Sequence, residues 1–316
     1  MIVTPDKLAF FRKHGYVVID GVLPLFVCAL ALSACWDFVE AASGGKVDRS
    51  KPETHTSKNW IGGVHGLVQH FGIGQSKALW LVRLCPSVLQ MFAELYAGMG
   101  LAPTSAADLV STFDGMSFPR TGSQKHFDDS KWQHKDQALL DDEFNFMVQA
   151  GFNVGKSQDA EDHVFSCIPG SHACHKEYAD ANAELAQKQK GHFLKLTKEQ
   201  LNWHRERGMA LKRVPLPRGS GVLWDSRLVH ASSRSLKGEP GQRAQVFVSL
   251  TPRCKMTPKQ LKKRKQHFEE GRTTGHKGGV FPKRPRTYGR PTTDVAVAPY
   301  FTPANASDLV KRLVGF

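Results

Sequence analysis

The six cysteines, at positions 28, 35, 85, 167, 174 and 254, include no Cys-x-x-Cys pair and no regular spacing. That pattern excludes a disulfide framework of the secreted kind and predicts reduced thiols inside a cell. A signal peptide is not expected either, because Asp6, Lys7, Arg12, Lys13 and Asp20 precede any apolar run. The most apolar stretch, 22–36, has fifteen uncharged residues before Asp37 and Glu40. A membrane span needs about 20, so this stretch is read as a buried helix and no membrane association is expected. No repeat of 20–50 residues is present, which excludes solenoid and propeller architectures. The expectation is a soluble intracellular protein; nothing distinguishes cytoplasm from nucleus or sets an oligomeric state.

What is present is an ordinary globular composition, 41% hydrophobic and 23% charged over 316 residues, enough for one large domain or two small ones. The formal net charge of +14 is unevenly spread. Residues 253–290 hold thirteen lysines and arginines against Glu269 and Glu270, a net of +11. The basic character therefore belongs to one segment.

Thr4-Pro5-Asp6 is a helix start, with proline and an acid in the first turn, and Gly15 ends that helix. A short strand follows at 16–20, then a long helix after Pro24 that stops at Ser43-Gly44-Gly45. Residues 46–75 are loop-like, and helices are expected at about 76–83 and 86–98. From about 105 the pattern changes to short strands, at 108–114, 122–128, 144–154, 163–168, 210–214, 220–225, 227–231 and 243–251. Helices at about 175–189 and 197–208 interrupt them. Runs of short strands after a helical preface predict a mainly β protein, an antiparallel sandwich or barrel with helices packed on one sheet. In the last strand Ala244, Val246, Val248 and Leu250 alternate with Arg243, Gln245, Phe247 and Ser249. The first set suits a core and the second can reach a pocket. A basic helix at 257–270, a Gly/Pro-rich basic loop at 271–292 and a final amphipathic helix from about Ser307 complete the chain.

His126-Phe127-Asp128 places an imidazole and a carboxylate two residues apart. In a strand, such residues project from one face and meet one point in space. That donor pair fits a 2-His-1-carboxylate facial triad for iron(II), which leaves three coordination positions open. The third ligand must be a distant histidine. His230 fits, following the glycine-rich turn at 219–221, a strand and a kink at Asp225-Ser226. A dicarboxylate co-substrate such as 2-oxoglutarate also needs a fixed cation, which arginine supplies through a planar fork that never deprotonates. Arg243 opens the strand after His230 and is preferred to Arg234 in the connecting loop.

Four stretches, in order, resemble the phytanoyl-CoA dioxygenase family of Fe(II)/2-oxoglutarate oxygenases. They are FFRKHGYVVIDGVL at 10–23, His126-Phe127-Asp128, VFSCIPGSH at 164–172, and GVLWDSRLVHAS at 221–232 followed by Arg243. The resemblance implies a double-stranded β-helix, or jelly roll, over about 105–252, behind a helical preface over about 1–100. Residues 1–252 would then form the oxygenase domain, and 253–316 a basic extension packed on it or tethered to it. It further implies Fe(II), 2-oxoglutarate and O2 as cofactor and co-substrates, and hydroxylation of an organic substrate with release of succinate and CO2. His126, Asp128 and His230 would hold iron and Arg243 the far carboxylate of 2-oxoglutarate. Ser232 would assist that arginine, and Trp132 would lie near the co-substrate. The His230–Arg243 spacing is two residues longer than usual, an insertion read at 237–241.

Other residues carry competing readings. Cys167, His172, Cys174 and His175 match no standard zinc-finger spacing, and His172 either supports the fold or touches substrate. Asn145, Gln149 and Asn153 share one parity of a strand, which suits either a pocket or a solvated sheet face. The basic segment is a solvated helix and loop, a lid or flank for an anionic substrate, or a patch for weak non-specific nucleic-acid binding; Phe281 and Tyr288 are expected to pack it on the body. A jelly roll that binds without chemistry, and a nucleic-acid-binding protein, remain as alternatives to a small-molecule or side-chain oxygenase.

Overall fold

The computed structural model describes residues 1–101, 105–141, 146–283 and 297–316. Asn145 and Tyr288 lie outside the described residues. The chain opens with α1 (Pro5–His14), capped by the Thr4 side chain and closed by Gly15 at φ 76°. An L side chain at Gly15 would also collide with the His172 ring, its Cβ falling 2.4 Å from Nδ1. Both facts require glycine there. Strand β1 (Tyr16–Ile19) follows, then α2 (Leu25–Ala42), α3 (Lys77–Arg83) and α4 (Pro86–Gly98), so the helical preface is present as expected. By length and composition α2 is apolar enough to cross a membrane. Here it turns one face, including Ala31, Cys35, Phe38 and Val39, into the core.

The remaining strands are β2 (Leu67–Val68), β3 (Leu109–Ser111), β4 (Met116–Ser117), β5 (His134–Lys135), β6 (Val148–Asn153), β7 (Val164–Cys167), β8 (Leu194–Lys195), β9 (Lys212–Arg213), β10 (Gly221–Asp225), β11 (His230–Ser233), β12 (Gln245–Phe247) and β13 (Leu250–Pro252). They form a six-stranded sheet in the order β1-β10-β6-β12-β4-β2, a five-stranded sheet β8-β5-β11-β7-β9, and a β13-β3 pair. Every strand pairing described is antiparallel. The fold is mainly β with flanking helices.

Three apolar clusters arrange these layers. The largest joins the preface helices to one face of the six-stranded sheet through Val148, Ala150, Phe152, Val246 and Val248. The second packs α5 (His175–Ala181), α6 (Ala183–Lys188) and α7 (Lys198–Arg205) against Leu139, Ile168 and Val229. The third lies between the two sheets and draws Tyr16, Trp224 and Val222 from one and Phe165 and Cys167 from the other. Residues 243–250 alternate as the sequence predicts. Ala244, Val246, Val248 and Leu250 are fully buried in the main core, each worth roughly 1.5–3 kcal/mol for the larger side chains.

The described part of the basic segment, 253–283, is built into this body. In α8 (Pro258–Glu269) a Thr257/Gln260 capping box starts the helix, and Arg264, His267 and Phe268 are buried. The Arg264 guanidinium donates to the carbonyls of Ser111, Gly278, Leu313 and Val314. In the terminal α9 (Asp308–Val314), Val310, Leu313 and Val314 join the main core. Lys259, Lys262 and Lys263 stay exposed on the outer side of α8. Phe281 packs on His267, ring centroids 5.1 Å apart.

Candidate metal and co-substrate site

Between the sheets lies a cavity of about 410 Å3, reached by Gln149 and Trp224 from one sheet and by Phe165, His134 and His230 from the other. Its chemistry starts from a strand pairing. His134 in β5 and His230 in β11 are direct antiparallel partners, and such neighbours bring their side chains together. Their ring centroids are 4.3 Å apart. Asp136 is two residues after His134, so its side chain returns to the same side, while the intervening Lys135 points away, over the Tyr178 ring. One ligand atom from each of His134, Asp136 and His230 lies within 4.8 Å of the others, and all three residues are buried.

The histidine tautomers are set by backbone. His134 Nδ1 lies 2.8 Å from the Trp132 carbonyl and His230 Nδ1 lies 3.0 Å from the Leu228 carbonyl. A carbonyl only accepts, so both Nδ1 atoms carry the proton and both Nε2 lone pairs face the carboxylate. Those Nε2 atoms are 3.7 Å and 3.2 Å from Asp136 Oδ2. Gln149 Nε2 donates to the same oxygen at 3.2 Å. Burial and the adjacent His230 push His134 down to about 4. Burial alone would raise the Asp136 carboxyl, but His276, His134 and His230 outweigh it and hold it well below its ordinary range. Neutral imidazoles and an ionised carboxylate are the forms that bind a divalent metal.

Across the cavity stands Arg243, with 2% of its surface exposed. One amino group donates to the Gln245 side chain. Nε and Nη1 are buried without a partner among the described residues. Burial pushes this guanidinium down to about 9, so it is charged at neutral pH with donors left over. A buried cation with free donors requires an anion opposite it. Ser232 and Trp132 line the same cavity.

The structure does not bring the expected pair, His126 and Asp128, to His230. Residues 122–128 are not a strand: Ser123–His126 is a 3-10 turn and Asp129–Lys131 another. His126 and Asp128 are exposed, and Asp128 pairs with Lys131 at 2.9 Å. The two-residue rule for strands therefore does not apply to them, and neither reaches His230. The second His-x-Asp, His134-Lys135-Asp136, is the pair that converges with His230. A sequence signal separates the two: Asp128-Asp129-Ser130 is rich in side chains that bond their own backbone and favour turns over strands.

The other expected residues divide. Gln149 is buried and lines the cavity, and Asn153 is buried where it donates to the Leu216 and Lys156 carbonyls, so neither lies on a solvated face. His172 is absent from the cavity wall; it contacts the Arg12 carbonyl at 3.0 Å and supports the α1–β1 turn. Arg234 is exposed and outside the cavity. Among the described residues, Cys167, His172, Cys174 and His175 form no metal cluster. His276, from the basic segment, was not anticipated: its Nε2 lies 3.2 Å from Asp136 Oδ1.

The family model for phytanoyl-CoA dioxygenase (PhyH) matches residues 11–237. A curated relative, Ava biosynthesis cluster protein O of Aspergillus versicolor, is 26% identical over 229 residues, covering 70% of each chain. Among solved structures, a putative oxidoreductase from Salmonella typhimurium LT2 is similar at a TM-score of 0.66 and 14% identity, covering 99% of this chain and 83% of its own. A hypothetical protein from Escherichia coli is similar at 0.66 and 15% identity, covering 99% and 82%. These two likenesses concern the fold.

Proposed function

Because this chain belongs to the phytanoyl-CoA dioxygenase family, which uses iron(II), 2-oxoglutarate and O2, we propose that it hydroxylates a small, uncharged organic substrate. 2-Oxoglutarate would leave as succinate and CO2. One O2 atom would enter succinate and the other the product. The observation that carries the reading is the convergence of His134, Asp136 and His230 beside a buried arginine with unpartnered donors. Two nitrogens and one carboxylate oxygen on one side of a cavity match the donor set of an open iron(II) site.

His134, Asp136 and His230 would hold the iron. Arg243 would take the far carboxylate of 2-oxoglutarate, with Ser232 beside it. Iron, when bound, supplies the oxygen activation and hydrogen abstraction that no side chain here can perform. The chain's part is positional: tautomers fixed by the Trp132 and Leu228 carbonyls, and water kept out by Trp132, Phe165, Trp224 and Phe247. A jelly roll agrees with two antiparallel sheets facing each other across the site.

The wall supports the substrate class. Arg243 is the one arginine or lysine among the described lining residues. With it committed to the co-substrate, no described arginine or lysine of the wall remains for an anionic substrate. The remaining wall is largely apolar, including Val64, Leu67 and Phe193, which favours a compact apolar ligand. The relative's place in a biosynthesis cluster supports a small metabolite over a macromolecule. Six free thiols agree with an intracellular setting.

The test is turnover with isotopically labelled O2 across a panel of small metabolites, followed by mass spectrometry of succinate and product. Label in both supports the proposal. A protein that neither binds 2-oxoglutarate without oxygen nor forms succinate with it overturns it.

A further inference from the structure

We propose that His276, delivered by the C-terminal segment, is a positioning residue that holds Asp136 in one-oxygen coordination. The inference rests on the iron-site reading above. Asp136 presents Oδ2 to His134 and His230, while Oδ1 faces His276 Nε2 at 3.2 Å. His276 lines the same cavity but is not one of the three residues whose ligand atoms cluster within 4.8 Å.

A second carboxylate flanks its ring. His276 Nδ1 lies 3.8 Å from Asp114 Oδ2. Asp114 is fixed in turn by Gln69 Nε2 at 2.6 Å and by the Gly115 amide at 2.8 Å. The His276 ring thus lies between two carboxylates, Asp114 and the metal-ligand candidate Asp136, and outer partners of this kind orient inner ones. The His192 ring, 5.7 Å from His276 at 82°, packs edge to face against it, and Lys277 pairs with Asp141 at 2.9 Å to seat the loop.

The consequence follows from counting positions. A facial triad leaves three places, and 2-oxoglutarate chelation takes two, with one left for O2. If Asp136 turned both oxygens to the metal, it would occupy that last place. The His276 imidazole, 3.2 Å from Oδ1, stands in the way of that turn. His276 lies beyond residues 11–237 matched by the family model, so the feature comes from this chain's own C-terminal segment.

The experiment uses the full chain with cobalt(II) as probe, read by calorimetric titration and by visible absorption. Wild type, H276A, H276Q, H276N and H134A are compared, and each metal-free protein is checked by thermal melting. Glutamine can place an amide N–H where Nε2 stands, whereas asparagine falls short. Expected are a loss of cobalt affinity of about 10–100-fold in H276A and H276N, an altered cobalt spectrum, and H276Q within about threefold of wild type, with metal-free melting alike. If H276A does not fold, the contrast between H276Q and H276N carries the decision. Equal affinity and spectra across all the His276 variants, with H134A binding none, overturn this inference and leave the iron site standing. A wild-type protein that binds no cobalt overturns both.

Discussion

Arg243 is a buried guanidinium whose Nε and Nη1 have no partner among the described residues. Lysine at that position keeps the charge and loses the planar fork. Arg243→Lys should weaken 2-oxoglutarate binding by about 1.5–3 kcal/mol, the range for a hydrogen bond to a charged group. Arg234→Lys, on the exposed loop, should leave it unchanged, and anaerobic calorimetry of the two variants decides. An opposite ranking would mean that the arginine has been misassigned. The place of Arg243 on the cavity wall was legible in the sequence because strand parity set it beside Gln245, Phe247 and Ser249, opposite four aliphatic positions. The ligand pair was not, because two His-x-Asp tripeptides lie eight residues apart. Backbone conformation separates them, a 3-10 turn beginning the one and a strand beginning the other, and the turn-favouring Asp128-Asp129-Ser130 run is the one cue to it in the sequence. His276 left no local signal at all: its role depends on a chain reversal that brings residue 276 to residue 136.

At the scale of elements, longer pieces with a cap or a period were readable, and two-residue pieces were not. Thr4, Pro5 and Gly15 delimit α1 as expected, and Thr257 with Gln260 caps α8. Strands β2, β4, β5 and β8 are two residues each, too short to show any alternation. The pairing of His134 with His230 decides where β5 lies, and that is a tertiary fact. The expected helix over 175–189 is divided at Asn182 into α5 and α6. The joint between α1 and β1 gives a sharp test. Gly15→Ala would impose a left-handed backbone on an L residue and drive Cβ into the His172 ring. The expected loss is on the order of 1–3 kcal/mol, read from urea midpoints. A stability equal to wild type would show that this turn is not seated as described.

At the scale of the whole molecule, the buried histidines make stability depend on pH. Burial lowers His134 to about 4, His175 to about 4 and His204 to about 3. The unfolded chain takes up these protons near 6.5, the folded chain only far below, so the stabilisation is present above 6.5 and is lost as pH falls toward the folded values. Near pH 5 almost three more protons bind the unfolded state, a slope of about 4 kcal/mol per pH unit. Urea midpoints of the metal-free protein at pH 7, 6 and 5 should fall steeply; a flat series would contradict the burial. The described part of the basic segment belongs to the same body. Truncation after Pro252 removes Phe268, Val310, Leu313 and Val314 from the main core. At roughly 1.5–3 kcal/mol each, that loss rivals the whole stability of a typical domain, so the truncated chain should show no cooperative melting. A folded, active truncate would make the segment a tether.

Which carboxylate holds the metal decides the site, and anaerobic iron(II) titration of Asp136→Ala beside Asp128→Ala tests that most directly. Wild type and Asp128→Ala should each bind about one equivalent, and Asp136→Ala none. Retained iron binding in Asp136→Ala, with its loss in Asp128→Ala, would contradict the site.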